Sequence, residues 1–168
     1  MTAGEVRSAG FADLEPLTAY RLWALRSAVF VVEQDCPYLD LDGRDLEPLT
    51  RHFWVEQDGV PVATLRLLDD GDALRIGRVA TLVPARGQGL AARLVTAALE
   101  AAGERVVVLD AQSHLVDWYA AFGFYKLAVI CEGIHYRFAQ GLTVGDGFEG
   151  IGDLVAPLVS RGLDTLIR

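Results

Sequence analysis

From Leu14 onward the apolar positions recur at helical spacing, through Leu17, Leu22, Trp23, Leu25, Val29 and Phe30. This run predicts an amphipathic helix over Asp13 to Val32, with Asp13 as N-cap and Pro16 early enough to be tolerated. A short strand over Glu5–Ala9 precedes it. Pro37, Gly43 and Pro48 then break the periodicity and predict a loop. His52–Gln57 and Val60–Leu68 read as strands around Asp58-Gly59, a strong hairpin-turn pair. After a turn over Asp69–Asp72, Ala73–Val83 reads as a third strand, stopped by Pro84. Gln88 to Ala102 is a helix with Leu90, Leu94, Ala98, Leu99 and Ala102 on one face. Arg105–Asp110 reads as a buried strand and His114–Phe122 as a short helix. Phe124–Ile130 and Ile134–Phe138 read as the last two strands.

A strand–helix–strand unit among hairpins predicts an α/β (α+β) fold, a mixed central sheet with helices on both faces. Residues 1–140 form the predicted main domain. Gly141, Gly145, Gly147, Gly150 and Gly152 follow as a flexible connector, within a terminal segment of residues 141–168. That segment ends in an amphipathic helix over Asp153–Arg168, whose Leu154, Leu158, Leu163 and Ile167 need cover, either on the same domain or across a homodimer.

Composition narrows the class. The chain has 168 residues, 52% hydrophobic and 23% charged, which fits a globular domain with a real core. A net charge of −8 argues against nucleic-acid binding, which needs lysines and arginines to displace counterions. The two cysteines, Cys36 and Cys131, imply no disulfide framework and a reducing compartment. The start lacks a secretory pattern, and no apolar run approaches the about 18 residues of a membrane span. The expectation is a cytoplasmic protein with no membrane partner.

Candidate chemistry lies in Pro84-Ala85-Arg86-Gly87-Gln88-Gly89-Leu90-Ala91, which follows a strand and opens a helix. Glycines there let backbone approach a ligand, and the first N–H groups of a helix form an anion site. The Gly-Lys-Ser/Thr of a Walker loop is missing, as is the third glycine of the dinucleotide fingerprint. A second stretch, Cys36–Glu47, is rich in carboxylates: Asp40, Asp42, Asp45 and Glu47. It is not a calcium loop. With Gly43 at the sixth position of an EF-hand, Tyr38 falls at the first and Leu49 at the twelfth, where ligands are required. Two readings of its aspartates stay open: they receive something cationic (a protonated amine, on the family resemblance given below), or they fix the loop around Gly43 and Arg44. The histidines and cysteines show no zinc spacing, so no metal is expected. Ser113-His114 with Asp110 does not make a catalytic triad.

Arg86-Gly87-Gln88-Gly89-Leu90-Ala91 resembles the Arg/Gln-x-x-Gly-x-Gly/Ala signature of the GNAT acetyltransferase superfamily. Trp118-Tyr119-Ala120-Ala121-Phe122-Gly123-Phe124 resembles its second hallmark, a tyrosine four residues before Gly-Phe. Leu25–Asp45 (LRSAVFVVEQDCPYLDLDGRD) and Ala111–Phe124 (AQSHLVDWYAAFGF) are similar to the ElaA-like branch, and the likeness runs from about Phe11 to Phe138. It implies the acyl-CoA N-acyltransferase fold and transfer from acetyl-CoA to a small or peptidyl amine. The pyrophosphate is expected on the N–H groups of Arg86, Gly87, Gln88, Gly89, Leu90 and Ala91, and the pantetheine along the strand ending Leu82-Val83. A backbone N–H near Val83 is expected to stabilise the oxyanion. Tyr119 is the expected general acid. Glu33, His114 or a water is the expected base, with Glu33 placed at a helix C-terminus, where the dipole raises a carboxylate pKa.

The sequence departs from the family pattern before the last strand, where Val129–His135 is short and lacks the usual proline. Arg26-Ser27-Ala28-Val29-Phe30 followed by Asp40, Asp42 and Asp45 also resembles acyl-homoserine-lactone synthases. The shorter chain, the missing tryptophan and the intact glycine signature count against that reading. A non-catalytic CoA-binding or interaction module is the remaining alternative.

Overall fold

The computed structural model describes residues 4–109, 116–140 and 150–166. It divides into two compact units, Met1–Asp110 and Ala111–Arg168.

The first unit is a five-stranded sheet in sequence order: β1 (Val6–Gly10), β2 (Arg51–Gln57), β3 (Val60–Asp69), β4 (Leu74–Thr81) and β5 (Val107–Leu109). Strands β1 to β4 pair antiparallel, and β5 runs parallel to β4. The β2–β3 hairpin turns at Asp58 and Gly59, both at positive φ (50° and 75°), the geometry that matches the twist of the flanking strands. Two helices flank the sheet: α1 (Pro16–Arg26) and α2 (Leu90–Ala102). Neighbouring residues of a strand point to opposite faces, yet β3 is buried without interruption from Ala63 to Leu68. Both faces of the sheet are therefore covered, as predicted.

Two details of the first helix differ from the sequence reading. Its N-cap is Glu15, with Pro16 at the first helical position, while Phe11–Asp13 forms a separate 3-10 turn. From Ser27 to Glu33 it widens into a π-helix. There Gln34 N–H donates to the carbonyl of Val29, five residues back (3.1 Å). Val29 and Phe30 enter the core with Leu25 and Ala80, and Leu82 packs against them. The apolar stripe was visible in the sequence; the wider hydrogen bonding beneath it leaves no periodic mark.

The second unit is an antiparallel helix pair, α3 (Val116–Ala139) and α4 (Val155–Leu166). The sequence predicts strands over Phe124–Ile130 and Ile134–Phe138; both segments are helical instead. No proline interrupts the run, and Ala121, Ala128 and Cys131 are buried at helical spacing. Close approach to α4 favours this face. A Cβ on Gly162 would lie 3.3 Å from the Ala121 carbonyl oxygen, and one on Gly152 would clash with His135 Nδ1 at 2.6 Å. Leu158 turns partly inward, whereas Leu154 and Leu163 stay exposed. Among the described residues no helix is long and apolar enough to cross a membrane.

Candidate functional site

The glycine loop leaves β4 through Leu82, whose N–H donates to the Val62 carbonyl (2.9 Å). A 3-10 turn over Val83–Ala85 follows, and Arg86 is extended. Gly87 and Gly89 both take positive φ, 75° and 71°, a conformation glycine adopts without the steric cost of a Cβ. Gly89 caps α2 without any side-chain hydrogen bond to the helix. The first N–H groups of a helix have no intrahelical partner and carry partial positive charge. Here they lie beside Arg86, Gly87, Gln88 and Gly89, all exposed, while Leu90 anchors the helix in the core. Gln88 is held at its side chain, which accepts a hydrogen bond from Gln57 Nε2 (2.9 Å).

The Arg86 side chain turns to Glu33. Its two terminal nitrogens donate to the two carboxylate oxygens at 2.7 Å each, and its Nε donates to the Thr81 carbonyl (3.0 Å). This paired geometry joins the end of the π-helix to the glycine loop. The hydrogen bonds from Arg86 hold the Glu33 carboxyl below its usual pKa. The helix dipole works in the opposite direction, but the contacting guanidinium outweighs it.

Among the described residues β4 pairs with β5 through Leu74, Arg75 and Ile76. From Gly77 to Thr81 that edge of β4 has no partner strand among the described residues, although β4 stays paired to β3 up to Thr81.

The acidic stretch contains partners that the sequence reading missed. Its carboxylates face three arginines from distant elements. Arg26, on α1, sends Nε to Asp40 Oδ2 (2.9 Å) and Nη1 to Asp45 Oδ1 (2.6 Å). Arg66, on β3, binds both oxygens of Asp42 at 2.7 Å and reaches Asp45 Oδ1 at 3.1 Å. Arg78, on β4, lies 2.7 Å from Asp40 Oδ1 and 3.1 Å from Asp42 Oδ2. Hydrogen bonds from Arg66 hold Asp42 far below the usual carboxylate range. Burial works against the charge of Asp45, but Arg26 and Arg66 outweigh it and keep its pKa low. His52 Nε2 lies 3.2 Å from the Asp45 carbonyl oxygen, and burial lowers its pKa. The available signal was an arginine where the pattern asks for an apolar residue: Arg26 beside Leu25, and Arg66 inside a buried strand. A buried charge implies a partner, but not which one.

The remaining sequence candidates belong to the second unit. Tyr119 lies in the first turn of α3. His114 lies outside the described residues.

A mixed sheet whose third and fourth strands feed a glycine-bearing helix N-terminus defines the acyl-CoA N-acyltransferase class of fold. The sequence pattern of the Acetyltransferase (GNAT) family matches residues 18–124, and the chain belongs to that family. Within it the chain falls in the ElaA-like branch. It is 38% identical to Protein ElaA of Escherichia coli over 127 residues, 71% of this chain and 83% of ElaA. A UPF0039 protein of Mycobacterium tuberculosis is 49% identical over 119 residues, 68% of this chain and 76% of that protein. Among solved structures, an acyl-CoA N-acyltransferase from Pseudomonas aeruginosa superposes with a TM-score of 0.68 at 42% identity, covering 71% of this chain and 86% of that one. E. coli ElaA superposes with a TM-score of 0.67 at 36% identity, covering 71% and 85%.

Proposed function

We propose that the protein is an N-acetyltransferase that moves an acetyl group from acetyl-CoA to a primary amine by direct attack. The observation that carries this reading is the exposed N-terminus of α2, which no side chain caps, with its two left-handed glycines in the loop that follows β4. Backbone N–H groups from Arg86 to Ala91 suit a pyrophosphate, and the β4 edge toward Leu82 and Val83 suits the amides of a pantetheine arm. Acetyl-CoA supplies a thioester carbonyl activated for attack. The Arg86 side chain, already paired with Glu33 and Thr81, shapes the loop and leaves the anion to the backbone.

The neutral amine forms a C–N bond at that carbonyl carbon, and a backbone N–H near Val83 receives the negative charge that builds on oxygen. As the C–S bond breaks, Tyr119 gives its phenolic proton to the departing thiolate. The proton lost by the new amide nitrogen then restores the phenol. Glu33, held as a carboxylate by Arg86, is a weak proton acceptor, which favours His114 or a water in that relay.

Calorimetric titration with acetyl-CoA, followed by thiol-release assays on a panel of amines, tests the reading. Wild-type protein is expected to bind acetyl-CoA and release thiol with at least one amine. Tyr119→Phe is expected to keep the binding and lose about 10²-fold or more in kcat. Binding without thiol release on any amine would convert the reading to a CoA-binding module. Equal kcat for Tyr119→Phe and wild type would remove the tyrosine from the mechanism.

A further inference from the structure

Arg78 stands in the middle of β4 at φ 54°, one of three non-glycine residues at positive φ among the described residues. The other two, Asp35 and Asp58, lie outside strands, and aspartate tolerates this region better than arginine. The pairing with β3 shifts at the same place: Arg66 faces Gly77 and Thr64 faces Ala80. Leu65 therefore lies opposite two residues, Arg78 and Val79. This is a β-bulge, which bends a strand and increases its twist. It begins just beyond Ile76, the last β4 residue paired with β5 among the described residues.

A left-handed arginine inside a strand is costly and persists only when its surroundings hold it. The surroundings here are the acidic loop. Arg78 Nε lies 2.7 Å from Asp40 Oδ1, and Nη2 lies 3.1 Å from both the Asp40 carbonyl oxygen and Asp42 Oδ2. The Tyr38 ring covers the guanidinium, 5.4 Å from its carbon to the ring centroid. Asp40 and Asp42 are in turn fixed by Arg26 and Arg66.

We propose that Arg78 is a positioning residue: clamped by Asp40 and Asp42, it holds the bulge that bends β4 and so sets the Gly77–Thr81 backbone along which the acyl donor lies. This rests on the donor reading above. The acidic loop thereby acts on the donor side, through β4, without touching the reacting atoms.

Two variants separate backbone conformation from general stability. Glycine adopts positive φ without strain, whereas alanine pays for it. Calorimetry with acetyl-CoA at a temperature well below unfolding gives stoichiometry and Kd independently. Arg78→Gly is expected to bind within about threefold of wild type, and Arg78→Ala about tenfold more weakly. Amide exchange across Gly77–Leu82, without ligand, is expected to quicken in Arg78→Ala more than in Arg78→Gly. A purely structural arginine would lower the binding stoichiometry through unfolded protein and leave Kd unchanged. Wild-type Kd in Arg78→Ala would overturn the proposal, as would equally weakened binding or equally quickened exchange in both variants. Wild-type protein that fails to bind acetyl-CoA would overturn the donor reading, and the exchange comparison would still decide the role of Arg78 in the bulge.

Discussion

Replacing Arg26 with methionine tests whether the buried ion network holds the first unit together. The Arg26 side chain is only 2% exposed, and it donates to both carboxylates and to the Asp40 carbonyl. Methionine fills much of the same volume but leaves Asp40 and Asp45 buried without the Arg26 guanidinium. Removing one partner of a buried pair costs about 3–5 kcal/mol. The lower end applies, because Asp40 keeps Arg78 at 2.7 Å and Asp45 keeps Arg66 at 3.1 Å. In a unit of this size about 3 kcal/mol lowers Tm by roughly 12–24 °C. Thermal and urea unfolding read this, with Arg44→Ala as control. Arg44 pairs with Glu47 and Asp70 at the surface, so its removal is expected to cost at most about 1 kcal/mol. Adding Asp45→Asn removes one stranded charge, so the double variant loses less than the two single losses added. Acid provides a second readout. The folded Asp45 pKa lies below its unfolded value of about 3.9. Its contribution is therefore complete above that value and is lost as pH falls through the folded pKa. Arg26→Met, which raises the folded pKa, flattens this loss. A variant within about 1 kcal/mol of wild type at pH 7 would refute the account of the network as a stabilising one.

Three further outcomes follow from named residues. His52 is buried with its pKa lowered, so the unfolded chain takes up its proton first, and stability falls as pH drops below about 6.5, by at most about 1.4 kcal/mol per pH unit; His52→Gln, followed by urea unfolding from pH 7 to 5, is expected to flatten that slope. Gly89→Ala places a Cβ at φ 71°, which costs about 1–2 kcal/mol, and it is expected to weaken acetyl-CoA binding in calorimetry by crowding the N–H groups of α2. The Tyr119→Phe and Arg78→Ala variants divide the chemistry from the shaping of the site, since the first is expected to change kcat at constant Kd and the second to change Kd.

The elements set by local chemistry were legible in the sequence. Asp58-Gly59 marks its hairpin because both residues sit at positive φ, whereas α2 begins at Leu90, two residues after the Gln88 read from the sequence, because Gly89 takes a left-handed conformation. The glycine loop was legible as the turn from strand to helix because its signal is contiguous. The partners of Asp40, Asp42 and Asp45 were not legible, since Arg26, Arg66 and Arg78 lie 14 to 38 positions away. The same limit hid the pairing of Glu33 with Arg86, 53 positions apart, and so reversed the expected direction of the Glu33 pKa. Residues 124–138 failed for another reason. Their apolar residues satisfy a strand alternation and a helical stripe alike, and packing against α4 selects the stripe.

The acidic stretch that suggests a trap for a cation is turned inside out. Asp40 and Asp45 are 7% and 3% exposed, whereas Leu39 is 79% exposed and Leu46 58%. Three aspartates meet three guanidiniums, so the cluster carries no net formal charge. A protonated amine would have to displace an arginine that is already desolvated and paired, and gain only what that arginine gives up. The carboxylates therefore serve the fold and, through Arg78, the strand edge. Attraction of a cationic acceptor does not come from them, and selection of the acceptor falls to groups beyond Asp40, Asp42 and Asp45.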